Sequence, residues 1–369
     1  MNEADNQRAF GFTGSWREFA PIAFTNALLC LVTLGVYLFW ARTRERNYLW
    51  SRTRFIDDQL EWTGTGRELL VGYMLAIALV SIPFIAINVA QQRLLIQGHA
   101  GWAALILLLS YFALLYLTGV AIFRALRYRL SRTYWHGIRG GSDHQGFGFG
   151  LSYLGRTVAG SIVLGLLVPW SMTSNWNQRW NAMSFGPMAF SSNARSGPIF
   201  LRYLLFYLVP FLIVIAVLVV AIAGAAIFVR SGAQLPTPQP GQPPIPPTVG
   251  LILLFFTVYF VIITVLGLVA ISYYAAFFRE AIGRLSLGEL EFEFTASTGQ
   301  WLQLAIGNLL LVIGTLGVGY LFLGYRNWAF FIRHLNAYGE VRLDEMTQSS
   351  TREPGQGEGL LDAFDIGAF

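Results

Sequence analysis

The sequence predicts an all-α polytopic membrane protein, built from an internally duplicated three-segment repeat plus a half-repeat, with short β-hairpin-like elements at its surface. Three observations predict it. Of 369 residues, 55% are hydrophobic and only 12% charged, and the mean hydropathy is +0.53, a balance foreign to a water-soluble chain of this length. Seven apolar stretches punctuate the chain, and their sequence features recur in a repeating order.

The first residues carry Glu3 and Asp5 ahead of any apolar run, so no cleavable signal peptide is expected, and 1–19 reads as a surface segment. The apolar stretches are Ala20 to Trp40, Leu69 to Ala90, Trp102 to Phe123, Thr157 to Trp170, Tyr203 to Val229, Val249 to Phe278 and Leu304 to Leu323. Most reach the roughly 20 residues that carry a helix across about 30 Å of hydrocarbon. The fourth, cut short by Arg156, does not, and reads as re-entrant or interfacial. Cys30 has no second cysteine to pair with, so neither a disulfide framework nor a cysteine zinc site is expected.

Sliding the chain by 130 residues lays the first apolar unit on the fourth: Gly35 meets Gly165, Trp40 meets Trp170, Asn47 meets Asn177, and Trp50 meets Trp180. The second and fifth segments each hold one proline, Pro83 and Pro210, which are candidate helix kinks. The third and sixth share Tyr111-Phe112 with Tyr259-Phe260 and Gly119 with Gly267. A half-copy closes the series, since Asn26 and Thr33-Leu-Gly-Val return as Asn308 and Thr315-Leu-Gly-Val, and Thr13-Gly-Ser-Trp16 returns as Thr298-Gly-Gln-Trp301. The order is a, b, c, a, b, c, a. Residues 20–147 then form the first membrane repeat, 148–296 the second, 297–338 the half-repeat and 339–369 an acidic, flexible tail.

Polar runs with period-two alternation follow the membrane segments at Asn181 to Phe190, Leu287 to Phe294 and Asn336 to Leu343, and predict short strands. Phe12-Thr-Gly-Ser-Trp-Arg-Glu-Phe19 resembles Trp62-Thr-Gly-Thr-Gly-Arg-Glu-Leu69, a turn and helix start repeated before two apolar segments. Seven prolines between Ser231 and Thr248 predict an extended outer loop, 231–248. The tail ends in Leu360-Leu-Asp-Ala-Phe-Asp-Ile-Gly-Ala-Phe369, a candidate docking peptide for a membrane protein partner.

All 25 basic residues are arginine. If the three a segments dip into the membrane and return, leaving four spans, every arginine except Arg93 and Arg230 lies on one side, as the positive-inside bias favours. Seven spans divide them more evenly and would give an inverted-repeat arrangement of the kind transporters use.

The chain lacks a phosphate-binding glycine loop, a His-Glu-x-x-His, a Gly-x-Ser-x-Gly and paired intramembrane carboxylates, so no enzyme, cofactor or metal is expected. His136 and His144, with Asp143, fit no standard metal spacing. The candidate ligand contacts are polar groups in apolar surroundings: Asn26 and Asn308, suited to bonding across helices, and Arg156 and Arg202, suited to snorkelling or to clamping an anion. The stretch Arg124 to Arg139, interleaved with Tyr128, Tyr134 and Trp135, suits anionic lipid headgroups better than nucleic acid. Membrane lipids are thus the expected partners.

The run from Phe12-Thr-Gly-Ser through Asn26-Ala-Leu-Leu to Thr33-Leu-Gly-Val-Tyr37 and Trp40, with its later copies and the tail ending in Phe-Asp-Ile-Gly, resembles the YjgN family of bacterial multipass inner-membrane proteins. The resemblance implies location and architecture and brings no reaction with it. The second copy departs from the pattern, with Arg156 where Asn26 would be and Thr-Leu-Gly reduced to Gly165. Transport or permeation of a small solute or lipid is the leading expectation, with a polar cavity at Pro83, Pro210, Gly119 and Gly267. A non-catalytic scaffold or regulator, well packed and docking through strands and tail, is the alternative.

Overall fold

The computed structural model describes residues 8–231, 249–341 and 347–354. The proline-rich loop, the terminal docking peptide and most acids of the tail lie outside them. By contacts the chain divides into two units, one of Met1–Ser196, Phe278–Ala296 and Gln303–Phe369, the other of Gly197–Phe277 and Ser297–Leu302.

Among the described residues, four helical stretches are long and apolar enough to cross a membrane: Gly66–Ile96, Ala100–Arg132, Gly197–Gly224 and Phe255–Ile282. The first comprises α3 (Gly66–Ala76), a π-turn (Ile77–Ser81) and α4 (Ile82–Ile96). Pro83 directly follows the π-turn inside this continuous helix, and the wider coil there accommodates the proline ring and the helical bond it cannot make. The others lie in α5 (Ala100–Arg132), α8 (Gly197–Arg230), which contains Pro210, and α9 (Val249–Ile282). Their large apolar side chains point outward, Leu79, Phe211 and Phe256 among them, as lipid-facing residues do.

The remaining apolar stretches, the three a segments, are each broken into helix–corner–helix. They form α1 (Trp16–Val32) with α2 (Leu38–Ser51), α6 (Phe147–Ile162) with α7 (Val168–Trp180), and α10 (Thr298–Gly314) with α11 (Leu323–His334). At each corner a Leu-Gly pair turns left-handed: Leu34 and Gly35 at φ 51° and 89°, Leu164 and Gly165 at 49° and 78°, Leu316 and Gly317 at 50° and 96°. Such angles terminate a helix, and a leucine at positive φ is uncommon enough to need support. In two corners a threonine hydroxyl supplies it. Thr33 Oγ1 donates to Leu29 O (2.7 Å) and accepts from Tyr37 N (2.9 Å), and Thr315 Oγ1 does the same between Leu311 and Gly319 (both 2.6 Å). The repeated Thr-Leu-Gly is therefore a corner. The middle copy keeps Leu164-Gly165 and loses only the hydroxyl, since Val163 stands where threonine would.

The chain is not all-α. Helices lead into strands of two to five residues: β2 (Thr53–Phe55), β3 (Asp58–Gln59), β4 (Glu61–Trp62), β5 (Thr133–Trp135), β6 (Ile138–Gly141), β7 (Ser184–Phe185), β8 (Met188–Ser192), β9 (Leu285–Leu287), β10 (Leu290–Phe294) and β11 (Leu335–Tyr338), with β1 (Phe10–Phe12) ahead of α1. Strands β4 to β11 form an eight-stranded sheet in sequential order, and β1-β2-β3 a second. Both are antiparallel in every pairing. β3 and β4 are separated only by Leu60, whose N–H bonds to Thr53 O (2.9 Å), and Ala9 N donates to Asn336 Oδ1 on β11 (3.0 Å). The strand layer thus curls into a half-barrel whose concave face is aromatic.

Leu287 to Phe294, read as one strand, is a hairpin turning at Gly288 (φ 57°), and Asn181 to Phe190 likewise turns at Gly186 (φ 54°). Two-residue turns inside such short runs leave too few residues for alternation to resolve.

The helix starts also correct a register. Ser15, Thr65 and Ser297 precede α1, α3 and α10, and each hydroxyl accepts a first-turn N–H. Gln300 Oε1 returns a bond from Ser297 N (2.8 Å), closing a capping box. Ser15 corresponds to Ser297, so the match of Thr13-Gly-Ser with Thr298-Gly-Gln is three residues out. Thr13 instead corresponds to Thr295, and to Thr63: their N–H groups bond to Arg52 O, His334 O and Arg132 O, at 2.9, 2.9 and 3.0 Å.

Candidate functional site

Each helical corner is bridged by one guanidinium. Arg44 donates to Asn26 Oδ1 (3.3 Å), and Asn26 Nδ2 donates to Ala41 O (3.1 Å). Arg326 Nε donates to Asn308 Oδ1 (2.8 Å), whose Nδ2 reaches Asn327 Oδ1 (2.8 Å). Asparagine and arginine stand 18 residues apart in both pairs. In the middle corner the roles are exchanged. Arg156 occupies the asparagine position on the first arm, Ser174 the arginine position on the second, and Arg156 donates to Ser174 O (3.0 Å), Asn175 Oδ1 (3.3 Å) and Gln178 Oε1 (2.6 Å).

A guanidinium still ties the two arms, from the other side. Arg44 and Arg326 were not singled out by sequence, because an 18-residue spacing across a corner matches no local periodicity. The paired offsets of Asn26 with Arg44 and Asn308 with Arg326 were the signal available.

Arg156 opens onto a cavity of about 800 Å³, with His144, Gly146, Asn177, Gln178 and Asn181 among its walls. No carboxylate pairs with it among the described residues. Gly146, left-handed at φ 86°, precedes α6 without a side-chain cap, so the first N–H groups of that helix lie at the same cavity uncapped. Arg124 Nε holds Gln145 O (3.1 Å), and its guanidinium covers the Phe147 ring at 4.9 Å, fixing the loop before α6. Asn177 and Asn181 are engaged with Ser192 and Ala194, so they shape the wall.

The other expected groups lie apart from this cavity. Arg202 bonds to Ser272 O (3.2 Å) and Thr298 Oγ1 (3.5 Å) in the second unit. His136 pairs with Asp57 (3.0 Å) across two hairpin turns, and this bond holds the Asp57 carboxyl below its ordinary value. His144 lies on the cavity wall, eight residues away in sequence and without part in that pair. Gly119 is no cavity wall: a Cβ there would meet Tyr153 Cβ at 2.7 Å and Gly150 Cα at 3.0 Å, so α5 and α6 touch at this point. On α7, burial and the neighbouring Arg129 bring Arg179 down to about 10, still protonated at neutral pH.

The long apolar helices, the corners and the curled strand layer together define a helical membrane protein. The chain belongs to the family described as "Bacterial protein of unknown function (DUF898)", which it matches over residues 7–363. It is also similar to the inner membrane protein YjgN of Salmonella typhimurium (strain LT2), at 29% identity over 90 residues, a stretch covering 24% of this chain and 21% of that protein. No solved structure matches the chain.

Proposed function

We propose that this protein is a non-catalytic inner-membrane component that binds an anionic group of a lipid or small solute at Arg156 and assists its passage. The observation that carries this reading is the open cavity in which a guanidinium without a carboxylate partner shares the space with an uncapped helix N-terminus. Both features favour negative charge, and a guanidinium matches phosphate geometry.

The corners further support four crossings with three re-entrant hairpins. The 17 residues of α1, or of α10, extend about 25 Å, short of the hydrocarbon thickness. The chain is then a duplicated unit plus a half-copy, supported by three left-handed Leu-Gly corners, two threonine latches and three guanidinium bridges. On this reading the half-barrel faces the cytoplasm.

Phosphatidylglycerol retention against phosphatidylcholine, read by native mass spectrometry of the detergent-purified protein, tests the site. The wild type should retain phosphatidylglycerol preferentially, and Arg156→Gln should weaken that retention about tenfold, the worth of one hydrogen bond to a charged group. Equal retention of both lipids, or a variant that binds as the wild type does, would overturn the proposal.

A scaffold reading draws on a different observation. Gln348 to Pro354 is strapped across β6: Gln348 Oε1 accepts from Arg139 N (3.1 Å), Arg127 reaches Arg352 O (3.1 Å), and Arg139 Nη2 holds Thr351 O. The tail therefore leaves from a fixed point on the half-barrel, as a partner-binding tail would.

A further inference from the structure

The concave face of the half-barrel encloses a second cavity, of about 230 Å³, made entirely by the first unit. The strands contribute Phe10, Phe55, Phe190 and Phe292 to it. The second arms of all three hairpins contribute tryptophans: Trp50 from α2, Trp176 and Trp180 from α7, and Trp328 from α11. These rings hold one another rigidly. Trp50 stacks on Trp328 at 4.3 Å between centroids, Trp180 meets Phe190 edge-on at 4.9 Å, and Phe10 stacks on Phe55 at 4.6 Å.

The polar groups at the wall are almost all used internally. Thr133 Oγ1 accepts from Trp50 Nε1 (2.9 Å) and donates to Arg129 O (2.9 Å), while Trp328 Nε1 donates to Thr53 Oγ1 (2.9 Å). Trp180 Nε1 is buried without a hydrogen-bond partner.

We infer that this cavity is a binding site for a small aromatic molecule, distinct from the anion site at Arg156. Two considerations fix the class. An apolar cavity of about 150 Å³ already holds benzene and stays free of water, so this one has room for a substituted or fused ring. Its walls are flat rings locked by stacking, which offer offset and edge-on contacts to another ring.

The wall is also the meeting place of all three hairpins, so an occupant would hold α2, α7 and α11 together. Filling it should therefore raise the stability of the whole unit. Chemistry at this site is thereby tied to the helices that carry the Arg156 cavity.

The test is fluorine NMR of 4-fluoroindole-3-carboxaldehyde with the full-length protein in detergent, against detergent alone. The expected result is a saturable bound resonance at one site and a melting temperature that rises with ligand. Leu287→Trp, which fills the cavity from β9, should weaken binding at least tenfold while still melting cooperatively. Should that variant fail to fold, Ile332→Phe on α11 makes the same test. Arg156→Gln should bind the probe as the wild type does, which separates this site from the anion pocket. Absence of saturable binding beyond the detergent control, undiminished binding in the filled variants, or saturable binding by decanoate in place of the aromatic probe would each overturn the inference.

Discussion

Replacing Trp135 with alanine should destabilise the protein by about 5 kcal/mol, enough to unfold the half-barrel in mild detergent. Trp135 is only 1% exposed, lies on β5 with its ring 4.9 Å from that of Phe55, and donates Nε1–H to Phe55 O at 2.9 Å. Truncation removes the largest fully buried side chain, leaves a cavity, and strands a buried carbonyl. Those two costs run to about 3–5 kcal/mol for the cavity and 1–3 kcal/mol for the carbonyl. Trp135→Phe keeps most of the volume and should cost only about 2 kcal/mol, the hydrogen-bond part. Trp16, 58% exposed, is the control whose alanine variant should scarcely change stability. Thermal unfolding of the three variants under one detergent condition separates these outcomes, and equal loss at positions 135 and 16 would contradict the packing described.

Gly119→Leu should cost about 3 kcal/mol and loosen the α6–α7 hairpin. The contact is reciprocal: a Cβ on Gly119 would lie 3.0 Å from Gly150 Cα, and one on Gly150 would lie 2.5 Å from Val120 Cγ2 and 3.0 Å from Tyr116 O. Backbone atoms cannot move aside as a flexible side-chain end can, so the helices must separate. Small residues that allow such approach are the usual means of packing helices within lipid. Gly101→Leu has nothing within 4 Å of its Cβ and should be tolerated. Proteolysis within the hairpin, faster for the first variant and unchanged for the second, reads the difference.

Hydropathy alone made the four long helices legible, because each apolar run there is also a continuous helix. The a segments misled for a physical reason. Leu34-Gly35 and its counterparts are apolar corners, and a hydropathy window passes through them without a break, although the backbone reverses there. The repeat drew attention to Thr-Leu-Gly, but only the Thr33 and Thr315 hydroxyl bonds show why threonine precedes the turn. The β-hairpin-like surface elements were legible around β8, β10 and β11, but strands of two residues, such as β4 or β7, carry too few side chains to display alternation, so the joining of all of them into one eight-stranded sheet was not. At the candidate site, Arg156 was legible as an isolated charge in an apolar run. Its partners Gln178 and Ser174 were not, since they lie beyond the corner. The aromatic cavity was illegible for the same reason, as Phe10, Trp180 and Trp328 converge only through the fold.

Four crossings with three re-entrant hairpins is the claim on which the placement of both cavities rests. Sided cysteine labelling in intact and permeabilised cells tests it most directly, with Cys30 replaced by alanine and single cysteines at Glu18, Asp58, Gln178, Glu353 and Gln97. The account predicts that the first four label only from the cytoplasm and Gln97, at the end of α4, only from the periplasm. Labelling of Glu18 and Asp58 from opposite sides would contradict it.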